Sequence, residues 1–380
     1  MHAEPLAAPV SQPLVEPGPE LTAAERARYA RHLLLPGFGS DAQRRLRAAR
    51  VAVVGAGGLG SPVLAYLAAA GVGELVVIDD DVVEASNLQR QVLHGVDALD
   101  RPKVDSAAEA VARIDPAVRV VRHRERLTDA TADRLLAGVD LVVDGADNFA
   151  TRYAVADACT RLGVPEVFGS VLRFDAQVGV FWAGHGATYR DVFPVPPPAG
   201  SVASCAEAGV LGALCGVVGS VMAVEAVKLL TGVGEPLVGR LLVLDALAMS
   251  WRTVRVRAGD PSAPVVAAAP EPEPLPADAV VTAPELAALL ADDAVLLVDL
   301  RTDAEREVAV LPGSVPVPLD DVLAGTADLP ADRRVVLHCR SGARSDKAVR
   351  ALRAAGHPDA AHLEGGLLAW AALVDPALAT

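Results

Sequence analysis

Val51-Ala52-Val53-Val54-Gly55-Ala56-Gly57-Gly58-Leu59-Gly60 decides the fold of the first two thirds of this chain. A short apolar run of strand-forming character passes directly into a glycine turn, and Ser61 to Ala70 then carries a helical pattern. Leu75 to Ile78 reads as the next strand and ends in Asp79-Asp80-Asp81. Strand, glycine turn, helix, strand and acidic residue, in that order, specify a Rossmann-like doubly wound α/β sheet that binds an adenine nucleotide. Glycines at 55, 57, 58 and 60 let phosphates approach the backbone at a helix N-terminus, and Asp79 is placed to bind ribose hydroxyls. Alone, the motif says no more than that, and NAD or FAD would be the default ligand.

Three further features overturn the default. Ser86-Asn87-Leu88-Gln89-Arg90-Gln91 follows the acidic strand end, Pro102-Lys103 comes next, and Val142-Val143-Asp144-Gly145-Ala146-Asp147-Asn148 closes another apolar strand. Two cations, Arg90 and Lys103, suit a triphosphate, and the carboxylate of Asp147 suits Mg²⁺. Hydride transfer would need none of them.

A second chemical signature lies near the C-terminus. Cys339-Arg340-Ser341-Gly342-Ala343-Arg344 follows the strand-like Val335-Val336-Leu337-His338 and precedes a helical pattern from Ser345 to Ala354. Backbone N–H groups at such a strand-to-helix turn form a nest that favours an anion and a thiolate. Arg340 and Arg344 add positive charge. Only four residues separate the cysteine from Arg344, one fewer than a cysteine phosphatase uses to hold a phosphate dianion, so the ring suits a single sulfur atom. The loop resembles that of rhodanese sulfurtransferases. Val295 to Arg301 as a strand ending in Asp-x-Arg, Glu305, Leu311-Pro312-Gly313 and Gly365-Gly366-Leu367-Leu368-Ala369-Trp370 match the same family; Val310 departs from it, where a His before the Pro-Gly is frequent.

The 380 residues suffice for two domains with full cores. Apolar residues make up 52%, yet the longest uncharged run, Ala208 to Val224, is 17 residues with four glycines. That is weak for a membrane span, and Gly212-x-x-x-Gly216 within it reads as a tightly packed buried helix. A net charge of −14 argues against nucleic acid or an anionic membrane as partner. No cationic, apolar signal peptide opens the chain. The four cysteines, Cys159, Cys205, Cys215 and Cys339, form no Cys-x-x-Cys pair, and a reducing cytoplasm fits them. The organisation expected is a polar, disordered tail over 1–20, a nucleotide domain over 21–256, a Pro-rich linker over 257–277 and a smaller α/β rhodanese domain over 278–376.

Residues 25–256 resemble the ThiF/MoeB-type adenylyltransferases, relatives of the ubiquitin-activating enzymes. The resemblance rests on Arg28-Tyr29-Ala30-Arg31, the glycine turn, Ser86 to Gln91, Lys103, Asp147-Asn148 and Ser204-Cys205-Ala206-Glu207. It implies that Gly58 with Gly55, Gly57 and Gly60 contacts ATP phosphates and that Asp79 holds the ribose. It further implies that Ser86, Asn87, Arg90, Lys103 and Asn148 bind nucleotide and polyphosphate, and that Asp147 holds Mg²⁺. Arg31 would reach into the other protomer's site of a homodimer. Cys205 would lie on a loop over the adenylate, as a nucleophile or as a resolving thiol. Many relatives carry structural zinc on two Cys-x-x-Cys pairs; Thr188-Tyr189-Arg190-Asp191 stands where the first should fall, so no zinc is expected and packing must replace it.

The implied partner is a ubiquitin-like sulfur carrier ending in Gly-Gly, adenylated by ATP and then given sulfur from a persulfide on Cys339. The sulfur donor, thiosulfate or a cysteine-desulfurase persulfide, stays open, as does the pathway: molybdopterin, thiamin, cysteine or a thiolated natural product. The competing reading is a nucleotide-dependent oxidoreductase with an accessory rhodanese domain.

Overall fold

The strand Arg50–Val54 (β1) is buried on both faces, and its alternation shows how the first sheet is built. Val51 and Val53 point into one apolar cluster, with Leu75, Val77, Leu141, Val143 and Val167. Ala52 and Val54 point into a second, with Val76, Ile78 and Val142. A strand sandwiched between two cores has no polar face, which is why this segment reads as continuously apolar. The computed structural model describes residues 12–197, 209–259, 274–330 and 333–378. Cys205 and most of the expected linker fall outside them.

Contacts divide the described residues into two compact units, 12–196 with 209–259, and 274–378. The first unit holds one sheet in the order β3-β2-β1-β4-β5-β6-β7-β8. Glu74–Ile78 (β2), Arg119–His123 (β3), Leu141–Asp144 (β4) and Glu166–Leu172 (β5) run parallel with β1. Asp175–Phe181 (β6), Arg240–Asp245 (β7) and Ser250–Arg255 (β8) add an antiparallel meander. This is the doubly wound sheet expected from the glycine turn. Its order reverses between β1 and β4, and the crevice at their carboxyl ends is where such sheets bind ligands.

The apolar run at 208–224 becomes the helix Gly212–Thr231, long and apolar enough to cross a membrane by length alone, with 56% of its most apolar window buried. It packs on the helix Gly60–Ala70 and on β5 through Leu214, Val218 and Met222. The glycine spacing that matters differs from the Gly-x-x-x-Gly reading. A Cβ on Gly219 would lie 2.4 Å from Pro62 Cγ and 2.6 Å from the Leu59 carbonyl oxygen, and one on Gly212 would lie 2.2 Å from the Gln89 carbonyl oxygen. Gly216 has open space there.

The second unit is a smaller parallel sheet in the order β11-β10-β12-β13-β9. Its strands are Val280–Val281 (β9), Val295–Asp299 (β10), Val315–Pro316 (β11), Arg334–His338 (β12) and Ala361–Leu363 (β13). Val295, Leu297 and Val336 face one core, Val298, Val335 and Leu337 the other, repeating the two-sided burial. The helix Ala343–Ala354 follows β12 after the cysteine loop.

Candidate active site

The nucleotide cleft is built from the glycine turn upward. Gly55 has φ +85°, a conformation glycine adopts without strain. A Cβ on Gly60 would lie 1.9 Å from the Gly55 carbonyl oxygen, so the turn closes this tightly only with glycine at 60. Asp79, at the end of β2, locks the turn from outside: its carboxylate accepts from the Ala56 N–H at 2.8 Å and from the Asp81 N–H at 2.9 Å. Burial pushes its carboxyl above the ordinary range, although Lys103 and those two N–H groups favour the charged form. His94 braces the turn from below. Burial pushes its pKa down, so it is neutral. Nε2 donates to the Ala56 carbonyl at 2.8 Å, which leaves Nδ1 to accept from the Ser106 hydroxyl at 2.9 Å. Ser106 lies on the helix Lys103–Ile114, so glycine turn and Lys103 are held in one frame.

Gly55, Gly57, Gly58, Asp79, Arg90, Lys103, Asp147 and Asn148 all line this cleft. Lys103 is buried, and its Nζ lies 2.8 Å from Asp81 Oδ2. Arg90 donates to the Ser86 carbonyl at 3.0 Å. Asn148 accepts from the Thr151 N–H at 2.9 Å and so caps the helix Phe149–Leu162. Asp147 is exposed in the cleft, and its carboxylate has no hydrogen bond among the described residues. A free carboxylate beside a phosphate cradle is an all-oxygen donor set, which suits Mg²⁺.

Not every expected residue is in the cleft. Gly60 sits behind it as the first residue of its helix. The Asn87 side chain turns into its own 3₁₀ turn, donating to Glu84 Oε2 and to Ser86 Oγ. Ser86 donates to Glu84 at 3.3 Å. Arg31 is exposed on the short helix Ala30–Leu33, without a hydrogen bond or ion pair among the described residues. Cys205 lies outside the described residues.

Among the lining residues that sequence reasoning missed, four stand out. Arg126, past the end of β3, donates to Asp80 at 3.0 Å. Asp81 pairs with Lys103. Arg152, one helical turn after Asn148, donates to the Ala146 carbonyl at 3.0 Å and so supports the loop that carries Asp147. Cys215 would lie 3.0 Å from a Cβ on Gly58. Only Arg152 left a signal, its i+4 spacing from Asn148; the others depend on contacts between distant segments. Beneath the loop, burial pushes the carboxyls of Asp144 and Glu166 up against the pull of Arg152; Asp147 raises Asp144 further, and Asp144 in turn raises Glu166.

Thr188-Tyr189-Arg190-Asp191, where the resemblance would place a zinc-binding pair, packs as a short helix against an aromatic cluster. Thr188 and Asp191 close a capping box, with the Thr188 N–H donating to Asp191 at 2.7 Å. Tyr189 is buried among Tyr153, Phe168, Phe181 and Phe193, with ring centroids 4.8–5.5 Å apart. Arg190 clamps Asp157 through two nitrogens at 2.5 and 2.7 Å and lies over the Tyr153 ring.

In the second unit, Cys339 lies fully buried at the end of β12. The Gly342 N–H donates to its Sγ at 3.2 Å. The loop's carbonyls are turned the other way: Cys339 O accepts from the Leu367 N–H at 2.9 Å and Arg340 O from the Leu368 N–H at 3.1 Å. A Cβ on Gly366 would lie 2.5 Å from Cys339 O, so Gly365-Gly366 brings the next helix close enough to take both. The Gly342 N–H is thereby left facing the sulfur, the kind of donor an anion nest uses. The two arginines of the loop differ. Arg344 makes a bidentate pair with Glu305 at 2.9 and 2.5 Å. Burial pushes Glu305 up, but Arg344 and the Thr302 N–H overcome it and hold its carboxyl low. Much of the Arg344 charge is thus matched, while Arg340 has a buried Nε without a hydrogen-bond partner. Asp299 and Arg301 of the Asp-x-Arg segment form a buried bidentate pair at 2.9 and 2.8 Å.

Residues 29–265 match the ThiF family, and residues 282–373 match the rhodanese-like domain. This chain belongs to the ThiF family. A probable adenylyltransferase/sulfurtransferase MoeZ of Mycobacterium tuberculosis is 47% identical over 382 residues, covering 96% of this chain and 97% of that protein. Adenylyltransferase and sulfurtransferase MOCS3-1 of Zea mays is 38% identical, covering 92% and 82%. A sulfur carrier protein adenylyltransferase of Thermus thermophilus is 51% identical over 249 residues, covering 64% of this chain and 92% of its own. The crystal structure of E. coli MccB with ATP shares the fold at a TM-score of 0.55 and 21% identity, over 63% of this chain and 74% of that one. With relatives of both kinds at these identities, the chain is an enzyme in two parts, adenylyltransferase and sulfurtransferase. None of these relatives is an oxidoreductase.

Proposed function

We propose that this ThiF-family enzyme adenylates the C-terminal Gly-Gly carboxylate of a ubiquitin-like sulfur carrier and then converts it to a thiocarboxylate with sulfur carried on Cys339. One observation carries the reading: a single chain holds a glycine-turn cleft with two cations and a free carboxylate, and a thiol seated under an N–H nest. The carrier carboxylate attacks the α-phosphorus of ATP, the bond to pyrophosphate breaks, and a carrier acyl-adenylate remains. Lys103 and Arg90 orient the polyphosphate and stabilise the charge leaving with it. Asp79 keeps the glycine turn shaped and takes the ribose. Asp147 would hold Mg²⁺, which supplies charge neutralisation at the phosphates when bound.

The second half-reaction moves sulfur. The Cys339 thiolate attacks the outer sulfur of a donor, thiosulfate or a protein persulfide, and the donor leaves with the electron pair. The terminal persulfide sulfur then attacks the carrier's acyl carbon and AMP leaves, giving an acyl disulfide. A second thiol, Cys205 or an added reductant, attacks Cys339 Sγ and frees the thiocarboxylate. The expected setting is a reducing cytoplasm, and the expected assembly is a homodimer in which Arg31 serves the partner's cleft.

The test separates the two halves. Cys339→Ser should abolish thiocarboxylate formation yet keep carrier-dependent ATP–pyrophosphate exchange; Asp147→Ala should lose exchange and keep transfer of sulfur from thiosulfate to cyanide. Undiminished thiocarboxylate yield from Cys339→Ser would overturn the reading. Cys205→Ala should keep exchange but slow thiocarboxylate release, with carrier trapped on Cys339 by mass spectrometry and rescue by dithiothreitol.

A further inference from the structure

Asp147 combines an anchored backbone with an unanchored side chain. Its carboxylate has no hydrogen bond among the described residues, whereas the residues on either side of it are tied down. Asn148 caps the helix Phe149–Leu162. Ala146 is held twice: its N–H donates to Asp144 Oδ1 at 2.9 Å, and its carbonyl accepts from Arg152 Nε at 3.0 Å. The N–H belongs to the peptide unit before Ala146 and the carbonyl to the unit that leads into Asp147, so both planes are fixed. Neither group has another hydrogen bond among the described residues.

The two holders are a buried anion and a buried cation that do not pair with each other among the described residues; the Ala146 backbone lies between them. Asp144 ends β4, and its register partner on β5 is Phe168. The Arg152 guanidinium lies 5.6 Å from the ring centroids of both Phe168 and Phe149. The strand that sets Asp144 therefore also steadies Arg152. Glu166, paired with Val142 and so on the same face as Asp144, is a second buried carboxyl, and its Oε1 has no hydrogen-bond partner among the described residues. Burial and the charge of Asp144 push Glu166 well up, so it is neutral. Burial raises Asp144 to about 6, so at neutral pH Asp144 is the ionised one.

We propose that Asp144 and Arg152 are positioning residues for adenylation: they hold the two peptide units around Ala146 from opposite sides and fix the backbone from which Asp147 meets the metal–nucleotide complex. Mg²⁺ tolerates little departure from its preferred geometry, so a carboxylate presented from a fixed backbone gives up less on binding.

The inference rests on Asp147 being the metal-binding carboxylate, and the test keeps the two apart. Calorimetric titration would measure ATP binding to the full chain without carrier, in EDTA and again with Mg²⁺. Asp147→Ala sets the reference for loss of the Mg²⁺-dependent gain in affinity. Asp144→Ala and Arg152→Lys should keep the metal-free affinity of wild type and lose about tenfold of the gain, as removal of a group that orients a metal ligand does. The lysine keeps the buried positive charge but has no nitrogen at the place of Nε. Asp144→Asn, whose amide oxygen can accept from the same N–H, should recover most of the gain. Glu166→Gln should behave as wild type. Hydrogen exchange over residues 145–149, without metal or nucleotide, should quicken in Asp144→Ala and Arg152→Lys. An undiminished gain in those two variants, unchanged exchange, or a loss in Glu166→Gln as large as theirs would each overturn the proposal. So would metal-free binding that falls in step with the gain, which would assign both residues to folding alone. If Mg²⁺ helps Asp147→Ala as much as wild type, the assignment of Asp147 fails first and takes the proposal with it.

Discussion

His338, one residue before the nucleophile, is fully buried at the end of β12, with Nε2 3.7 Å from Asp299 Oδ2. Burial lowers its pKa to about 4, against the pull of Asp299 and with the help of Arg301 and Arg306. The sign follows from linkage: above about pH 6.5 the folded and unfolded states are both neutral here. Below it the unfolded chain takes up a proton that the folded chain refuses. The second unit should lose stability as pH falls from about 6.5 to about 4, by on the order of 3 kcal/mol in all. Hydrogen exchange of peptides covering β12, measured across that window, should show protection falling in wild type and much less in His338→Gln. Equal loss in both would assign the acid sensitivity elsewhere. The residue scale also shows what a motif conceals. Two arginines flank Cys339, and only the structure reveals that Glu305, 39 residues away from Arg344, matches one of them.

Between elements, close approach decides which residues matter. Gly219 lets the helix Gly212–Thr231 lie against Pro62 and the Leu59 carbonyl; Gly216 faces open space. Gly219→Val should destabilise the first unit by about 1–3 kcal/mol through overpacking. Gly216→Ala should be neutral or stabilise by up to about 1 kcal/mol through helix propensity. Thermal unfolding of the two variants checks this, and equal effects would defeat it. The Tyr189 cluster makes a related claim. It brings five aromatic rings together at the place where relatives are expected to carry zinc thiolates. The purified enzyme should contain no stoichiometric zinc by elemental analysis, and chelators should leave its unfolding temperature unchanged. Tyr189→Ala should cost about 3–5 kcal/mol, as deletion of a buried ring does.

Across the whole molecule, Arg31 poses the largest question. Its short helix is anchored by its neighbours: the Tyr29 hydroxyl bonds Asp115 at 2.5 Å and Arg28 pairs with Asp115 at 3.0 Å. Tyr29 also packs so tightly on Gly71 that a Cβ there would lie 2.4 Å from its hydroxyl oxygen. A cation displayed on an anchored helix, away from its own cleft, fits service in trans. Mixed dimers of Arg31→Ala and Asp147→Ala chains should regain adenylation in one of two sites, measured as pyrophosphate exchange after subunit mixing. Dimers without recovered activity would sink the shared site. By itself the sequence determined both sheets and both reactive loops. Strand, glycine turn and helix N-terminus are local patterns, and within a loop of six residues the cysteine already has its nest around it. Only the tertiary structure decided which partners those groups have. Asn87 turned into its own turn, Arg126 reached Asp80 across 46 residues, Glu305 matched Arg344, and His362 arrived beneath the nest from the neighbouring strand. Hydrogen bonds and ion pairs act over a few ångströms, and which distant segments come that close is set by strand register and helix packing, which no local pattern encodes.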